Sequence, residues 1–389
     1  MFNIKTLNKI SASGLSVLDK ARYSISDGAE NPDGILVRSA DMLEYQFNGA
    51  LCCIARAGAG VNNIPISRCS ESGIVVFNTP GANANAVKEL VICALLLSSR
   101  DIVGGIEWAK GISDKGDEVG KLVEKGKSAF VGPEIEGKAI GVIGLGAIGL
   151  KVANAAEKLG MTVYGYDPYL ASEAEASMSG SVKIVGDLET IYKNCDYITV
   201  HVPASAETKG MINKAAIGMM KDEVRIVNLA RGELVNSTDI REALESGKVA
   251  KYVTDFPDAI ALNTKNVIAI PHLGASTPES EENCAYMAAA QLKDYLESGN
   301  IKNSVNIPNV SMEASGAARV CLFHKNVPGM IEEVKKLLAS KGIKILSVTS
   351  KAKKDFAYAL IDVDSEVSDM IADEIRALEG SLKVRVLNH

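Results

Sequence analysis

The stretch "IGVIGLGAIG", residues 140–149, decides how this chain is read. Its three glycines, Gly144, Gly146 and Gly149, stand at the spacing G-x-G-x-x-G. The apolar run "KAIGVIGLG" before them predicts a strand. "AIGLKVANAAEKLG" after them predicts a helix with Ile148, Val152, Ala155, Ala156 and Leu159 on one face. Glycine closes the turn between them, lets the backbone approach a pyrophosphate, and lets the helix pack tightly on the strand. The N–H groups at the helix start then favour an anion. Asp167 ends the next strand, "TVYGYD". A carboxylate there can accept hydrogen bonds from the adenosine ribose and repels the 2′-phosphate of NADP. The expectation is a dinucleotide site for NAD.

The rest of the chain has to be accounted for around that loop. At 389 residues it is long enough for two or three domains. The 47% hydrophobic and 23% charged content places it among soluble globular proteins. A formal charge of −6 argues against nucleic acid or an anionic membrane as partner. The apolar run at residues 91–97 is too short to span a bilayer. "MFNIKTLNKIS" lacks the apolar centre of a secretory signal, so the expected setting is cytoplasmic. The seven cysteines include no C-x-x-C pair and read as reduced core residues, with neither a disulfide nor a metal role.

From residue 35 to about 275, apolar runs such as "GILVRS", "LCCIARAG", "GIVVFNTP", "YITVHVP", "RIVNLARG", "KYVTDF" and "VIAIPHLG" alternate with helical stretches, among them 85–99, 148–158 and 237–246. Val- and Ile-rich strands separated by helices predict an α/β fold with parallel sheets covered on both faces. Nine such strands suit two doubly wound domains, the first ending near Ser99, before the charged stretch "SDKGDEVGKLVEKGK". A third segment, from about Ser315, reads β-α-β-β-α-β, the ferredoxin-like order. The predicted division is 1–99 with 276–305, 100–275, and 315–389.

In an open α/β sheet, ligands gather beyond the carboxyl ends of the strands. The later strands of the glycine-loop domain end at His201 with Val202 and Pro203, at Arg231, at Asp255 and at His272. A histidine can take a proton from a hydroxyl as hydride leaves the same carbon. An arginine can fork a carboxylate. That pairing suits a 2-hydroxy or 2-oxo acid. In the first domain, Arg38 and Arg56 both follow apolar strands, and two converging arginines favour a dianion such as phosphate. The glycines of "RAGAG", Gly58 among them, offer backbone N–H groups to a carboxylate, and Asn83 offers its amide.

"GVIGLGAIG", "VNLARGELV" and "IPHLGAST" resemble the D-2-hydroxyacid dehydrogenase family, and "RAGAGVNNI" and "NTPGANANAVKELV" resemble its substrate-side loops. "HKNVPGM" resembles the start of the ACT domain that many such enzymes carry. The resemblance implies two doubly wound domains, one a Rossmann NAD-binding domain, and a C-terminal ACT regulatory domain. It implies that Arg231 holds the substrate carboxylate and that His272 is the acid–base. It assigns NAD contacts to Thr79, Ala147, Ile148, Asp167, Val202 and Pro203. Further NAD contacts fall on Thr208, Leu229, Ala230, Asp255, His272 and Gly274. The family's glutamate partner for the histidine is missing from "TDFPDAIALNTKN". Asp258 is favoured in its place, with Asp255 in a double role as the alternative.

The implied reaction is NAD-dependent oxidation of a small phosphorylated hydroxy acid, 3-phospho-D-glycerate, on the way to serine. L-serine is the possible effector, bound at His324 and Asn326, in a homodimer or homotetramer. Two other readings stand beside it: a reductase for glyoxylate or hydroxypyruvate, and an NAD-sensing binding protein without turnover.

Overall fold

A computed structural model of the chain describes residues 1–388. It divides into two compact units, Met1–Asn83 with Pro278–His389, and Ala84–Thr277.

The first unit contains a five-stranded parallel sheet of β1 (Phe2–Leu7), β2 (Tyr23–Ser26), β3 (Gly34–Val37), β4 (Cys53–Arg56) and β5 (Val75–Phe77), in the order β2-β1-β3-β4-β5. β3 and β5 are buried from end to end, and β4 except at Arg56, so these strands read as apolar runs in the sequence. β1 and β2 escaped the sequence reading because their apolar residues alternate with polar ones; on β1 only Ile4 is fully buried.

The second unit is built on seven parallel strands: β6 (Ala139–Ile143), β7 (Thr162–Tyr166), β8 (Lys183–Ile184), β9 (Tyr197–Val200), β10 (Val224–Asn228), β11 (Val249–Thr254) and β12 (Val267–Ala269). Their order, β12-β11-β10-β9-β6-β7-β8, reverses between β6 and β9, which is the dinucleotide-binding topology. The helix Ala84–Ser99, which the sequence reading assigned to the first domain, belongs here. Val91, Ala94 and Leu95 on it share a core with Val152, Ala153 and Ala156 of the helix Ala147–Lys158. Small alanines on both faces let the two backbones approach closely.

The last segment forms an antiparallel sheet of β13 (Ala318–Lys325), β14 (Ile345–Lys353), β15 (Phe356–Val363) and β16 (Ser381–Asn388), in the order β14-β15-β13-β16. With the helices Met330–Ser340 and Asp369–Arg376 this is the β-α-β-β-α-β unit the sequence predicts. Strand pleating sends Val320, Leu322, Ala359 and Ile361 under those helices. It sends Cys321, Phe323, Tyr358 and Leu360 the other way, into one core with Ile4, Phe77, Tyr295 and Leu296. The segment is therefore continuous with the first unit, and the helix Pro278–Ser298, absent from the sequence reading, carries the join. Arg385 donates to the carbonyls of Tyr295 and Leu296 at 3.0 and 2.6 Å, and Tyr358 to that of Gly299 at 2.8 Å.

Arg319 and Asp362 are both fully buried in that join. Arg319 Nε and Nη2 donate to Asp362 at 2.6 and 2.9 Å, and Nη1 donates to Ser298 O at 2.8 Å. Burial pushes the Asp362 carboxyl up, but the bonds from Arg319 and Ser315 outweigh it and hold it below the ordinary carboxylate range. All seven cysteines are free. Cys93 is an exception to the core reading, because it faces solvent on the helix Ala84–Ser99. No helix among the described residues is long and apolar enough to cross a membrane.

Asp362→Asn should leave a buried guanidinium uncompensated and cost about 3–5 kcal/mol at neutral pH. Replacing both partners, Arg319→Met with Asp362→Leu, should cost less. Because the folded carboxyl titrates below its unfolded value, this contribution is present above the unfolded pKa, about 4, and fades as pH falls. Urea unfolding of the variants at pH 7 and at pH 4 checks both points; equal loss in the single and double variants would contradict them.

Candidate active site

The glycine loop follows directly from packing. A Cβ on Gly149 would lie 1.8 Å from the carbonyl oxygen of Gly144, so only glycine lets the helix start so close to the strand. Gly144 has φ +90°, and its Cβ would meet the His201 carbonyl at 2.7 Å. A Cβ on Gly146 would meet nothing within 4 Å. That open side above the backbone, at the N-terminus of the helix Ala147–Lys158, is the space a pyrophosphate needs. Asp167, at the end of β7, accepts from Leu145 N and Tyr169 N, each at 2.9 Å, which fixes its carboxylate beside the loop. The residues present fit a dinucleotide.

Neighbouring groups line the turns after β9 and β10. Val202 packs on the Gly144 position. Thr208 Oγ1 donates to Pro203 O at 2.6 Å and so closes the turn after β9. Leu229 is buried, and Ala230 N donates to Asn228 Oδ1 at 3.2 Å. His201 Nε2 lies 2.9 Å from Thr199 Oγ1, while its Nδ1 is buried with no protein partner. Burial pushes that imidazole down to about 4, so it is neutral at pH 7.

Arg231, Asp255 and His272 sit just beyond the ends of β10, β11 and β12, where parallel pairing brings them to one edge. Asn228 aims Arg231 through its amide, which donates to Arg231 O at 2.8 Å. His272 N donates to Asp255 O at 2.9 Å, and His272 adopts φ +24°, an uncommon backbone conformation for a side-chain-bearing residue. Asp255 is almost fully buried, and its Oδ1 has no protein partner. Burial pushes this carboxyl up, opposed by the Gly274 N–H, by His272 and by Arg231.

Asp258 is placed elsewhere. It caps the helix Ala259–Leu262, accepting from Ala261 N at 2.8 Å. Burial raises its carboxyl, but the bonds from Ser237 and Ala261 outweigh that and hold it low. No ion pair between Asp258 and His272 occurs among the described residues, so the charge beside His272 is Asp255. The reason is local: a four-residue helix needs its cap, and Asp258 is the residue in position to give it. What the sequence reading missed is Phe256. Its ring centroid lies 4.3 Å from that of His272, and the Arg231 guanidinium carbon lies 5.7 Å above it. Its place directly after Asp255 was the available signal.

In the first unit, Arg38 and Arg56 leave adjacent strands at the same edge, with Val37 paired to Arg56. Arg56 Nε donates to Arg38 O at 3.0 Å. Gly58 lies under the Arg56 guanidinium, where a Cβ would come within 2.7 Å of Nη1. Arg38 is ion-paired with Glu281 at 2.8 Å. Thr79 is buried beyond β5, its N–H donating to Gly58 O at 3.1 Å, and Asn83 ends that stretch of the unit.

In the C-terminal lobe, His324 and Asn326 line a cleft of about 350 Å³ with Met330, Ser350 and Lys351. His324 Nδ1 lies 2.7 Å from Lys325 O. A carbonyl can only accept, so Nδ1 carries the proton and the buried, unpartnered Nε2 is an acceptor. Burial pushes the imidazole down, which keeps it neutral.

Asp255→Asn should raise the thermal midpoint at pH 7 by on the order of a degree or two, because the folded protein holds this carboxyl above its unfolded pKa and so penalises the charged form. The gain should shrink as pH drops and the parent carboxyl protonates. Calorimetric scans from pH 4 to 8 check this, and an unchanged or lowered midpoint at pH 7 would count against it.

Residues 106–274 match the family described as D-isomer specific 2-hydroxyacid dehydrogenase, NAD binding domain. The chain is 30% identical to the D-3-phosphoglycerate dehydrogenase of Haemophilus influenzae, over 84% of this chain and 79% of that one. It is 37% identical to the enzyme of the same name from Methanocaldococcus jannaschii, over 78% of this chain and 57% of that one. Among solved structures it resembles the NAD+-bound 3-phosphoglycerate dehydrogenase of Entamoeba histolytica, with a TM-score of 0.61, 26% identity, and 78% and 98% of the two chains covered. The chain therefore belongs to the D-isomer specific 2-hydroxyacid dehydrogenase family, alongside the D-3-phosphoglycerate dehydrogenases.

Proposed function

We propose that the protein oxidises 3-phospho-D-glycerate to 3-phosphohydroxypyruvate with NAD, the first step towards L-serine. The observation that carries this reading is the joint placement of Arg231, Asp255, Phe256 and His272 at one strand edge of a dinucleotide-binding sheet. Bound NAD supplies hydride acceptance. Arg231 forks the substrate carboxylate and orients C2. His272 takes the C2 hydroxyl proton as the C–H bond breaks. Phe256 holds the rings and charges of both in register, and Asp255 stabilises the imidazolium that forms. Asp167 takes the adenosine ribose hydroxyls. In the first unit, Arg38 and Arg56 take the phosphate, with Gly58 and Asn83 beside them. The same arginines weigh against a reductase for the unphosphorylated acids, and the intact Arg231 and His272 against a binding protein without turnover. The reading includes a cytoplasmic setting and assembly into a homodimer or homotetramer.

Arg231→Ala should lose on the order of 2–5 kcal/mol of transition-state stabilisation, as a desolvated charge pair does. His272→Ala should lose roughly 100- to 10,000-fold in rate. NADH formation from 3-phospho-D-glycerate by folded variants is the measurement. Near-parental turnover in either would end the assignment.

The C-terminal lobe is proposed to be an ACT domain that binds L-serine. Asn326 Nδ2 already donates to Lys354 O at 3.0 Å, which sets the amide's orientation. The neutral His324 Nε2 can accept from the ligand's ammonium or hydroxyl. L-serine should inhibit the intact chain, and Asn326→Ala should weaken that inhibition. Calorimetry showing no serine binding, together with serine-insensitive turnover, would refute the assignment.

A further inference from the structure

The side chain facing the proposed phosphate arginines is itself an anion. Glu281 lies in the first turn of the helix Pro278–Ser298, and its Oε1 sits 2.8 Å from Arg38 Nη1. Cys284, three residues on and so on the same helix face, reports where that face points. Burial pushes its thiol up, and hydrogen bonds with Thr79 and Ser280, then the positive charges of Arg38 and Arg56, oppose the shift. The face carrying Glu281 therefore looks at the edge where β3 and β4 end, and Arg56 Nε holds the Arg38 carbonyl there.

We infer that Glu281 is a specificity-determining residue: a tethered carboxylate that occupies the seat of the substrate's phosphate and is displaced by a dianion but not by a monoanion. This rests on the reading of Arg38 as a phosphate ligand. The pair is a single contact between side chains 38% and 43% exposed, which makes it weak and exchangeable. A free monoanion brings no more charge than Glu281 and must also overcome the high effective concentration of a tethered competitor. A phosphate monoester brings nearly two charges and three acceptor oxygens, and so can fork two guanidinium groups at once. Acetate and chloride are kept off Arg38, at the expense of some affinity for the proper substrate.

The test uses the full chain and three substitutions. Glu281→Gln removes the competing charge. It should lower the KM for 3-phospho-D-glycerate and the inhibition constant of inorganic phosphate, each by about two- to fivefold. Inhibition by acetate should strengthen by a similar factor. Glu281→Asp, shorter but still charged, should return both towards the parent. Calorimetric titration of phosphate into the protein without NAD gives the same comparison independently of turnover. Arg38→Gln tests the underlying reading and should weaken phosphate and raise the KM. If Arg38→Gln weakens phosphate but Glu281→Gln does not strengthen it, the Glu281 inference is wrong and the phosphate reading stands. If Arg38→Gln changes neither quantity, both are wrong.

Discussion

The contact between Gly149 and the carbonyl of Gly144 leaves no room for a single methyl group, and much of the molecule is arranged around it. The helix Ala147–Lys158 can begin only there because its third residue has no side chain. Its position sets the plane on which Val152, Ala153 and Ala156 meet the helix Ala84–Ser99. The same closeness leaves the open side at Gly146 bounded by backbone alone. An anion can then reach N–H groups that no side chain shields.

From that fixed point the parallel sheet does the gathering. Parallel strands all end on one side, so residues far apart in sequence reach one edge without any long-range search for partners. Arg231, Asp255 and His272 arrive there on β10, β11 and β12. The cost is electrostatic. Asp255 is buried with one oxygen unpartnered, and the protein tolerates a carboxyl pushed upward where its charge can serve. Phe256 gives the edge a flat surface against which both a guanidinium and an imidazole pack.

The first unit uses charge differently. Arg319 and Asp362 satisfy each other inside the join between the helix Pro278–Ser298 and the C-terminal sheet, so burial there is compensated. At the other end of the same helix, the Arg38–Glu281 pair is half in water and correspondingly weak. One helix thus meets a buried charge pair at its C-terminal end, through the Ser298 carbonyl, and contributes Glu281 to a partly exposed pair at its N-terminal end. The cleft at His324 and the arginines Arg38 and Arg56 belong to a single packed body.

The sequence by itself determined the elements whose patterns are local. The glycine loop, the buried strands of both parallel sheets and the β-α-β-β-α-β order of the last segment are all periodic or motif-bound, and each was legible. So were the residues at the strand ends, because a strand's direction and a sheet's chirality follow from chain chemistry. Tertiary structure decided what depends on neighbours remote in sequence. β1 and β2 are polar enough to pass for loop and are strands because β3 offers β1 a partner and β1 in turn offers one to β2. The last segment looks like a separate domain until Phe323 and Tyr358 are seen in one core with Phe77 and Tyr295. On the sequence Asp258 was the favoured partner of His272 and Asp255 the alternative; the need to cap a short helix took the first, and the fold left the second beside His272. A pattern records which face of an element is apolar, but what that face meets is fixed only when the chain closes on itself.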